Sequence, residues 1–393
     1  MASVLAGRGV NTTLLVRKES IASAINSDHC HPTYVPVCLS LVCKHTPHAI
    51  TLHTRSARYL SDITLASNIV ATADPKLALE NATHLVHAVP VQFTRETLRK
   101  VRKYIPEGIP ILSVSKGIET KSGQLMCDLL HELLGESHSF AFLSGPSFAR
   151  EIVEGKATAV VVASEDRDLA SEFSDILSSR SFRVFTSRDV IGLEVGGAVK
   201  NVIAVAAGMS EGLGLGTNAM AALVTRGCIE MRRISLLFGG RPSTLAGLSG
   251  VGDTFGTCFG PLSRNRNLGI RIGRGERLKD ILASSTEVAE GVDTAFSLEK
   301  LILNRNNSFR RDLKFPIIFG VCQVCTQFFK PNSFFFFHLF DFHCNTPHPC
   351  SPSIHLDSSW EDYAQRRTGL NNGAAFQVGS VRRLRLLTHC YQK

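Results

Sequence analysis

Up to about residue 185, short apolar or β-branched runs alternate with stretches of helical period. The runs at 13–16, 69–71, 84–88, 110–113, 141–143 and 157–163 have strand length and are bounded by polar or turn residues. Amphipathic stretches such as 94–104 lie between them, and Leu5-Ala6-Gly7 reads as a helix end. This alternation predicts βαβ units on a parallel, doubly wound sheet, an α/β architecture that places ligand contacts in loops at the carboxyl ends of strands.

From Ser187 the pattern changes. Helical period runs through 195–208 and 219–238 with almost no β-type runs, so the second domain is expected to be all-α. A cleft between the two would be lined by strand-end loops and by the first helices of the second domain. Two segments break the rhythm. The stretch 35–58 has no helical period and only an ambiguous strand signal, and reads as an insertion. Beyond 303, the run Phe334-Phe335-Phe336-Phe337 and the Cys-, Pro- and His-containing stretch 344–352 show neither binary period nor helix caps, so 304–393 is expected to pack poorly. The longest apolar run, 315–329, is interrupted at Thr326 and Gln327 and falls short of the roughly 18 residues of a membrane span.

A length of 393 residues accommodates two domains. The net charge of +9 is spread over single Lys and Arg residues, not gathered in a basic block, which points to a small anionic ligand and away from nucleic acid. Cysteines without a signal-peptide apolar region predict free thiols in a reducing compartment. Cys322 and Cys325 have the spacing of a metal-ligand pair, but His338, His343, Cys344 and Cys350 beyond them do not, and no metal is expected. The acid-poor start, whose first carboxylate is Glu19, reads as part of a domain and not as a targeting peptide, because helix and strand signals are already present in it.

Several clusters carry chemistry. Ser115-Lys116-Gly117 follows a strand, where a lysine can meet a phosphate or carbonyl oxygen or stand as a plain solvated charge. Ser144-Gly145-Pro146-Ser147-Phe148-Ala149 also follows a strand, and its small residues let backbone amides approach a ligand, as in any tight turn. The sharpest signal is 194–202, where Lys200 and Asn201 stand among Val, Ala and Gly. A lysine there either snorkels to solvent or lines a polar cleft with a lowered pKa, and the second option describes an acid–base group. The Gly-rich stretch 247–254 contains Gly252-Asp253 and is followed by Ser263-Arg264-Asn265, donors of the kind phosphate oxygens require. Val288-Ala289-Glu290-Gly291 adds a carboxylate near a turn.

In this order and spacing the clusters resemble one family, the NAD(P)-dependent glycerol-3-phosphate dehydrogenases, over about residues 1–33 and 59–300. The resemblance implies a Rossmann-like cofactor domain followed by an all-α substrate domain. It implies reversible reduction of dihydroxyacetone phosphate to sn-glycerol 3-phosphate, with NAD as cofactor and NADP as the other candidate. The resemblance also implies a homodimer. With no intact targeting segment the expected location is the cytoplasm, or a plastid or other organelle if the native start is longer. Lys200 takes the position of the proton acceptor in alcohol oxidation, and would donate that proton in ketone reduction. Lys116 matches a lysine touching both substrate and cofactor. Gly145, Ser147, Asp253, Ser263, Arg264 and Asn265 match substrate positions, with Arg264 and Asn265 suited to the phosphate and Asp253 to orienting Lys200. Ala149, Arg264, Val288 and Glu290 match cofactor contacts.

Members of the family open with a strand and a G-x-G-x-x-G turn. Here residues 1–6 correspond to the interior of the first helix and Gly7-Arg8-Gly9 to its exit, so the amides that cradle a pyrophosphate are not seen. The strands flanking the missing central strand are expected to have open edges. Val16 is followed by Arg17-Lys18-Glu19, charges that permit NADP without excluding NAD. The chain therefore reads as an incomplete dinucleotide-binding domain at 1–185 carrying the 35–58 insertion, a helical substrate domain at 186–303, and a tail at 304–393 outside the family pattern. An inactive family fragment is the competing reading. A different two-domain dehydrogenase acting on a hydroxy acid or a nucleotide sugar is disfavoured by Gly252-Asp253 together with Ser263-Arg264-Asn265.

Overall fold

The computed structural model describes residues 1–28, 38–44, 65–284, 290–305 and 314–326, all within one compact unit. Val288, most of the 35–58 segment and everything beyond 326 lie outside the described residues.

Strands β1 (Asn11–Leu15), β2 (Cys38–Lys44), β3 (Ile69–Thr72), β4 (His84–Ala88), β5 (Ile111–Ser113), β6 (Phe140–Ser144), β7 (Thr158–Ala163) and β8 (Phe182–Ser187) form one eight-stranded sheet in the order β3-β1-β2-β4-β5-β6-β7-β8. Helices α1 (Ala2–Gly7), α2 (Glu19–Asp28), α3 (Pro75–Leu79), α4 (Val91–Val101), α5 (Met126–Leu134), α6 (Ala149–Val153) and α7 (Arg167–Leu177) connect them. Local sequence explains several. Asp74 caps α3 by accepting from the Lys76 amide at 2.8 Å, with Pro75 in the first turn. In α4 the buried positions Val91, Thr94, Leu98 and Val101 follow helical spacing and face the sheet side of the core.

The sheet is mixed where a parallel one was expected. β4, β5 and β6 are parallel, as are β1 with β3 and β7 with β8, but β7 runs antiparallel to β6. The connection between those two carries only the five-residue α6, too little helix for a crossover over the sheet. The edges of β1 and β4, expected to be open, are both paired with β2, which comes from the 35–58 segment and runs antiparallel to each. Central backbone groups need partners, and β2 supplies them with irregular register between Leu14 and Leu15 and between Leu39 and Leu41. β8 is an addition to the expected strands; Phe182 and Val184 are buried while Arg183 and Phe185 are exposed.

The second half is helical, as expected: α8 (Val190–Gly212), α9 (Gly216–Phe238), α10 (Pro242–Leu245), α11 (Asp253–Phe259), α12 (Arg264–Gly273), α13 (Leu278–Ser284), α14 (Glu290–Arg305) and α15 (Pro316–Cys325). Asp189 caps α8 by accepting from the Gly192 amide at 2.9 Å. Its other oxygen accepts from the Arg241 amide and the Thr244 hydroxyl, tying the start of α8 to α10. α8 is long and apolar enough to cross a membrane, the one such helix among the described residues, and nearly all of it is buried inside the fold. It is the central core helix, buried on all sides with Glu194, Lys200 and Asn201 among its buried polar positions. α12 crosses it in backbone contact: a Cβ on Gly208 or Gly212 would overlap a carbonyl oxygen of α12, and one on Gly269 or Gly273 a carbonyl oxygen of α8.

α15 lies in the segment expected to pack poorly, yet Ile317, Ile318, Phe319 and Val321 are fully buried. The lack of period there is that of a helix covered all round. Glu230 of α9 satisfies its first amides, accepting from Ile317 at 2.8 Å and Ile318 at 3.1 Å. Burial pushes the Glu230 carboxyl up to about 8, against the pull of those two hydrogen bonds. The unfolded chain releases this proton near the ordinary 4.5, so between these values the folded state binds more protons and stability falls as pH rises. The melting temperature is therefore expected to drop more steeply between about pH 5 and pH 8 for the native chain than for Glu230→Gln; equal slopes in paired thermal melts would remove this role from Glu230.

Candidate active site

The site forms where strand-end loops meet α8. Ser144 and Lys116 sit so close to this helix that a Cβ on Gly197 would lie 3.0 Å from Ser144 Oγ and 3.4 Å from Lys116 Cγ. The turn after β6 requires glycine at 145: φ is +135°, and a Cβ would press on the backbone of Val160 at 3.0 Å. Gly145 thereby turns its carbonyl toward Lys116, whose Nζ donates to it at 3.0 Å.

Asp253, at the first turn of α11, binds two lysines. Lys200 Nζ donates to its Oδ1 at 2.6 Å and Lys116 Nζ to its Oδ2 at 2.8 Å. Lys200 also donates to Thr257 Oγ1 at 3.0 Å, and Thr257 donates to the Asp253 carbonyl one turn back at 2.6 Å. Asp253 is 2% exposed and Lys200 8%, so the cluster is desolvated and carries one net positive charge. Burial is the main force on Lys200; Asp253 opposes it, Lys116 adds to it, and the ammonium comes down to about 8. Burial also raises Asp253, but the two lysines outweigh it and hold the carboxyl below its usual range. Each ammonium has three N–H groups and spends two on partners within the protein, leaving one for a ligand oxygen. Such a pair can bind an anion or carbonyl and exchange a proton near neutral pH.

Glu194, on the same helix as Lys200, serves the framework: its carboxylate accepts from the Cys127 amide at the start of α5 at 3.2 Å. Ser147 donates to the Gly145 carbonyl at 3.0 Å, and Pro146 packs toward Gly256 of α11, which carries the turn to the cluster. Ala149 opens α6 and is exposed. Ser263 caps α12 by accepting from the Arg266 amide at 3.2 Å. Asn265, buried, accepts from the Gly291 amide at 2.9 Å and so joins α12 to the start of α14. Glu290 then lies over the Gly117 turn; burial pushes its carboxyl up to about 7, with Arg264 pulling the other way. Lys116, Gly145, Lys200 and Asp253 are thus brought into direct contact, and Arg264 and Glu290 are brought into mutual electrostatic range. Thr257 is a further member, and its signal in the sequence is the one-turn spacing from Asp253.

A cavity of about 290 Å³ opens at the carboxyl ends of β1 and β3, lined by Val16, Arg17, Ala73, Phe93, Thr97 and Lys100. It combines an aromatic face with cationic groups at the sheet position where an open α/β fold takes the adenosine end of a dinucleotide. Among the described residues no G-x-G-x-x-G turn joins a strand to a helix. Cys322 and Cys325 are buried on α15, and no group of His, Cys, Asp and Glu able to hold a metal occurs among the described residues.

A family profile described as NAD-dependent glycerol-3-phosphate dehydrogenase C-terminus matches residues 189–335, and the corresponding N-terminus profile matches 37–170. The glycerol-3-phosphate dehydrogenase (NAD(P)+) of Nitratidesulfovibrio vulgaris strain DP4 is 42% identical over 302 residues, 77% of this chain and 84% of its own. The chloroplastic glycerol-3-phosphate dehydrogenase (NAD(+)) 2 of Arabidopsis thaliana is 38% identical over 335 residues, 84% of this chain and 72% of its own. The crystal structure of glycerol-3-phosphate dehydrogenase from Coxiella burnetii superposes with a TM-score of 0.73 at 29% identity, covering 85% of this chain and 93% of that one.

Proposed function

Because the chain belongs to the NAD-dependent glycerol-3-phosphate dehydrogenase family, we propose that Lys200 and Lys116, held on Asp253, carry out the reversible NAD(P)H-dependent reduction of dihydroxyacetone phosphate to sn-glycerol 3-phosphate. The chain is an NAD(P)-dependent oxidoreductase. One observation carries the assignment of roles: two lysines share one buried aspartate, and each keeps an N–H for a ligand.

The nicotinamide cofactor supplies hydride in the reducing direction and takes it back in the other. Lys200 donates its proton to the oxygen on which negative charge develops, and Asp253 and Thr257 hold the ammonium so that its remaining N–H points at that oxygen. In the oxidising direction neutral Lys200 takes the hydroxyl proton. Lys116 binds the same part of the substrate and adds positive charge beside it. Arg264, Asn265 and Ser263 are proposed for the phosphate, with Gly145 and Ser147 shaping the opposite wall. Glu290, Ala149, Arg264 and Lys116 are proposed for the nicotinamide end and the β1–β3 cavity for the adenosine end. Arg17 and Lys100 at that cavity suit NADP as well as NAD.

The proposed division gives 1–185 to the dinucleotide and 186–303 to the substrate, and the burial of α15 supports counting it with the helical half. A homodimer in the cytosol or a plastid is proposed with it; the chloroplastic name of the Arabidopsis relative supports the second address.

The purified chain is expected to oxidise NADH or NADPH in step with formation of sn-glycerol 3-phosphate from dihydroxyacetone phosphate. Dihydroxyacetone, which lacks the phosphate, is expected to fall by about a hundredfold or more in kcat/KM, because it gives up the charge-assisted hydrogen bonds that the phosphate would make. Equal efficiency on the two ketones would contradict the phosphate assignment.

A further inference from the structure

His87 is a buried polar side chain that the reaction as described does not use. It sits at 1% exposure near the carboxyl end of β4, paired in parallel register with Ser113 of β5. Its Nδ1 lies 3.2 Å from Ser113 Oγ and 3.2 Å from Ser115 Oγ, and its Nε2 lies 3.3 Å from Thr94 Oγ1 on α4. The Ser115 hydroxyl donates to the Val89 carbonyl at 2.5 Å, so its oxygen is free to accept. For His87 to hold that oxygen, Nδ1 carries the proton and donates to Ser115, while Nε2 faces Thr94, whose hydroxyl also lies 3.4 Å from the Pro90 carbonyl. Burial pushes the imidazole down to about 4, which keeps the ring neutral at physiological pH.

Ser115 immediately precedes Lys116, and Gly117 follows with φ at +126°, so the chain turns sharply just past the lysine. The amide of Val114 donates to the His87 carbonyl at 2.9 Å, anchoring the other end of the same loop. Lys116 is therefore presented by a short segment whose approach is pinned to His87 on one side and whose exit is a glycine turn. We infer that His87 is a positioning residue for the reaction: through the Ser115 hydroxyl it sets the loop that aims Lys116 at Asp253 and the substrate. The inference rests on the proposed role of Lys116. A core histidine serving packing alone would not couple to Ser115 in catalysis.

Two independent readouts test it. The first needs no activity: imidazole 15N chemical shifts of the full chain are expected to show a neutral, Nδ1-protonated His87 that does not titrate down to about pH 5, with Nδ1 shifting in Ser115→Ala. A ring protonated at Nε2 overturns the inference whatever the enzyme does. The second is a double-mutant cycle on turnover of dihydroxyacetone phosphate. His87→Leu and Ser115→Ala are each expected to lower kcat/KM about tenfold through a raised KM, the double variant to be no worse than the poorer single within about twofold, and His87→Asn, whose amide can donate from the Nδ1 place, to recover most of the loss. Multiplying losses, or a His87→Asn variant as poor as His87→Leu, overturn it. A native chain without turnover would sink the functional reading and leave the nitrogen shifts to decide the role of His87.

Discussion

Lys200→Ala is expected to lower kcat for dihydroxyacetone phosphate by about a thousandfold while leaving NADH affinity within a few fold. The loss is large because the residue is the only proton source among the described residues that combines contact with Asp253, a free N–H and an ammonium brought down to about 8. NADH affinity is spared because the cavity proposed for the adenosine end lies at the ends of β1 and β3 and has none of the cluster's residues in its lining. Small primary amines added to the variant are expected to restore part of the rate, since they can occupy the space left by the side chain and donate the proton. A variant keeping more than about a tenth of the native kcat would take general acid–base catalysis away from Lys200.

Gly208→Ala is expected to be the most damaging conservative change outside the site. The new methyl would overlap the Arg266 carbonyl oxygen and approach the Ile270 amide at 2.8 Å, and neither backbone group can swing aside as a side-chain tip would. Separating α8 from α12 also strips contact from Gly269, where the reciprocal overlap is with Val205. A destabilisation of about 3 kcal/mol, or failure to fold, is expected, with denaturant unfolding as the check. Because α12 carries Arg264 and Asn265, any folded fraction is expected to show a raised KM. A Gly208→Ala chain of native stability would mean that the two helices slide apart freely.

Much of this was legible in the sequence because the strongest constraints are local. Lys200 stood out as a lone cation in an apolar helix, and the structure buries it against Asp253, fifty-three residues later. The strands nominated from composition at 69–71, 84–88 and 157–163 lie within β3, β4 and β7 almost residue for residue. What was not legible depends on distant partners. β2 has an ambiguous local signal, and its strand state comes from the unpaired edges of β1 and β4. α15 shows no amphipathic period because α8, α9 and α14 cover it, and its first amides are satisfied by Glu230. His87 reads as one more polar residue in a strand until β5 and α4 bring Ser113, Ser115 and Thr94 to its ring. Ser263 and Asn265, read from the sequence as ligand donors, also spend hydrogen bonds on capping α12 and holding α14.

The pH dependence of kcat in both directions is the most direct test of the Lys200–Asp253–Lys116 cluster. In the proposed role Lys200 is protonated to reduce the ketone and neutral to oxidise the alcohol, and burial brings its ammonium down to about 8. The expected result is a ketone-reduction rate that falls, and an alcohol-oxidation rate that rises, as pH climbs through about 8, with both transitions absent in Lys200→Ala. Rates that stay flat across that range in the native chain, or that keep the transition in Lys200→Ala, would contradict it.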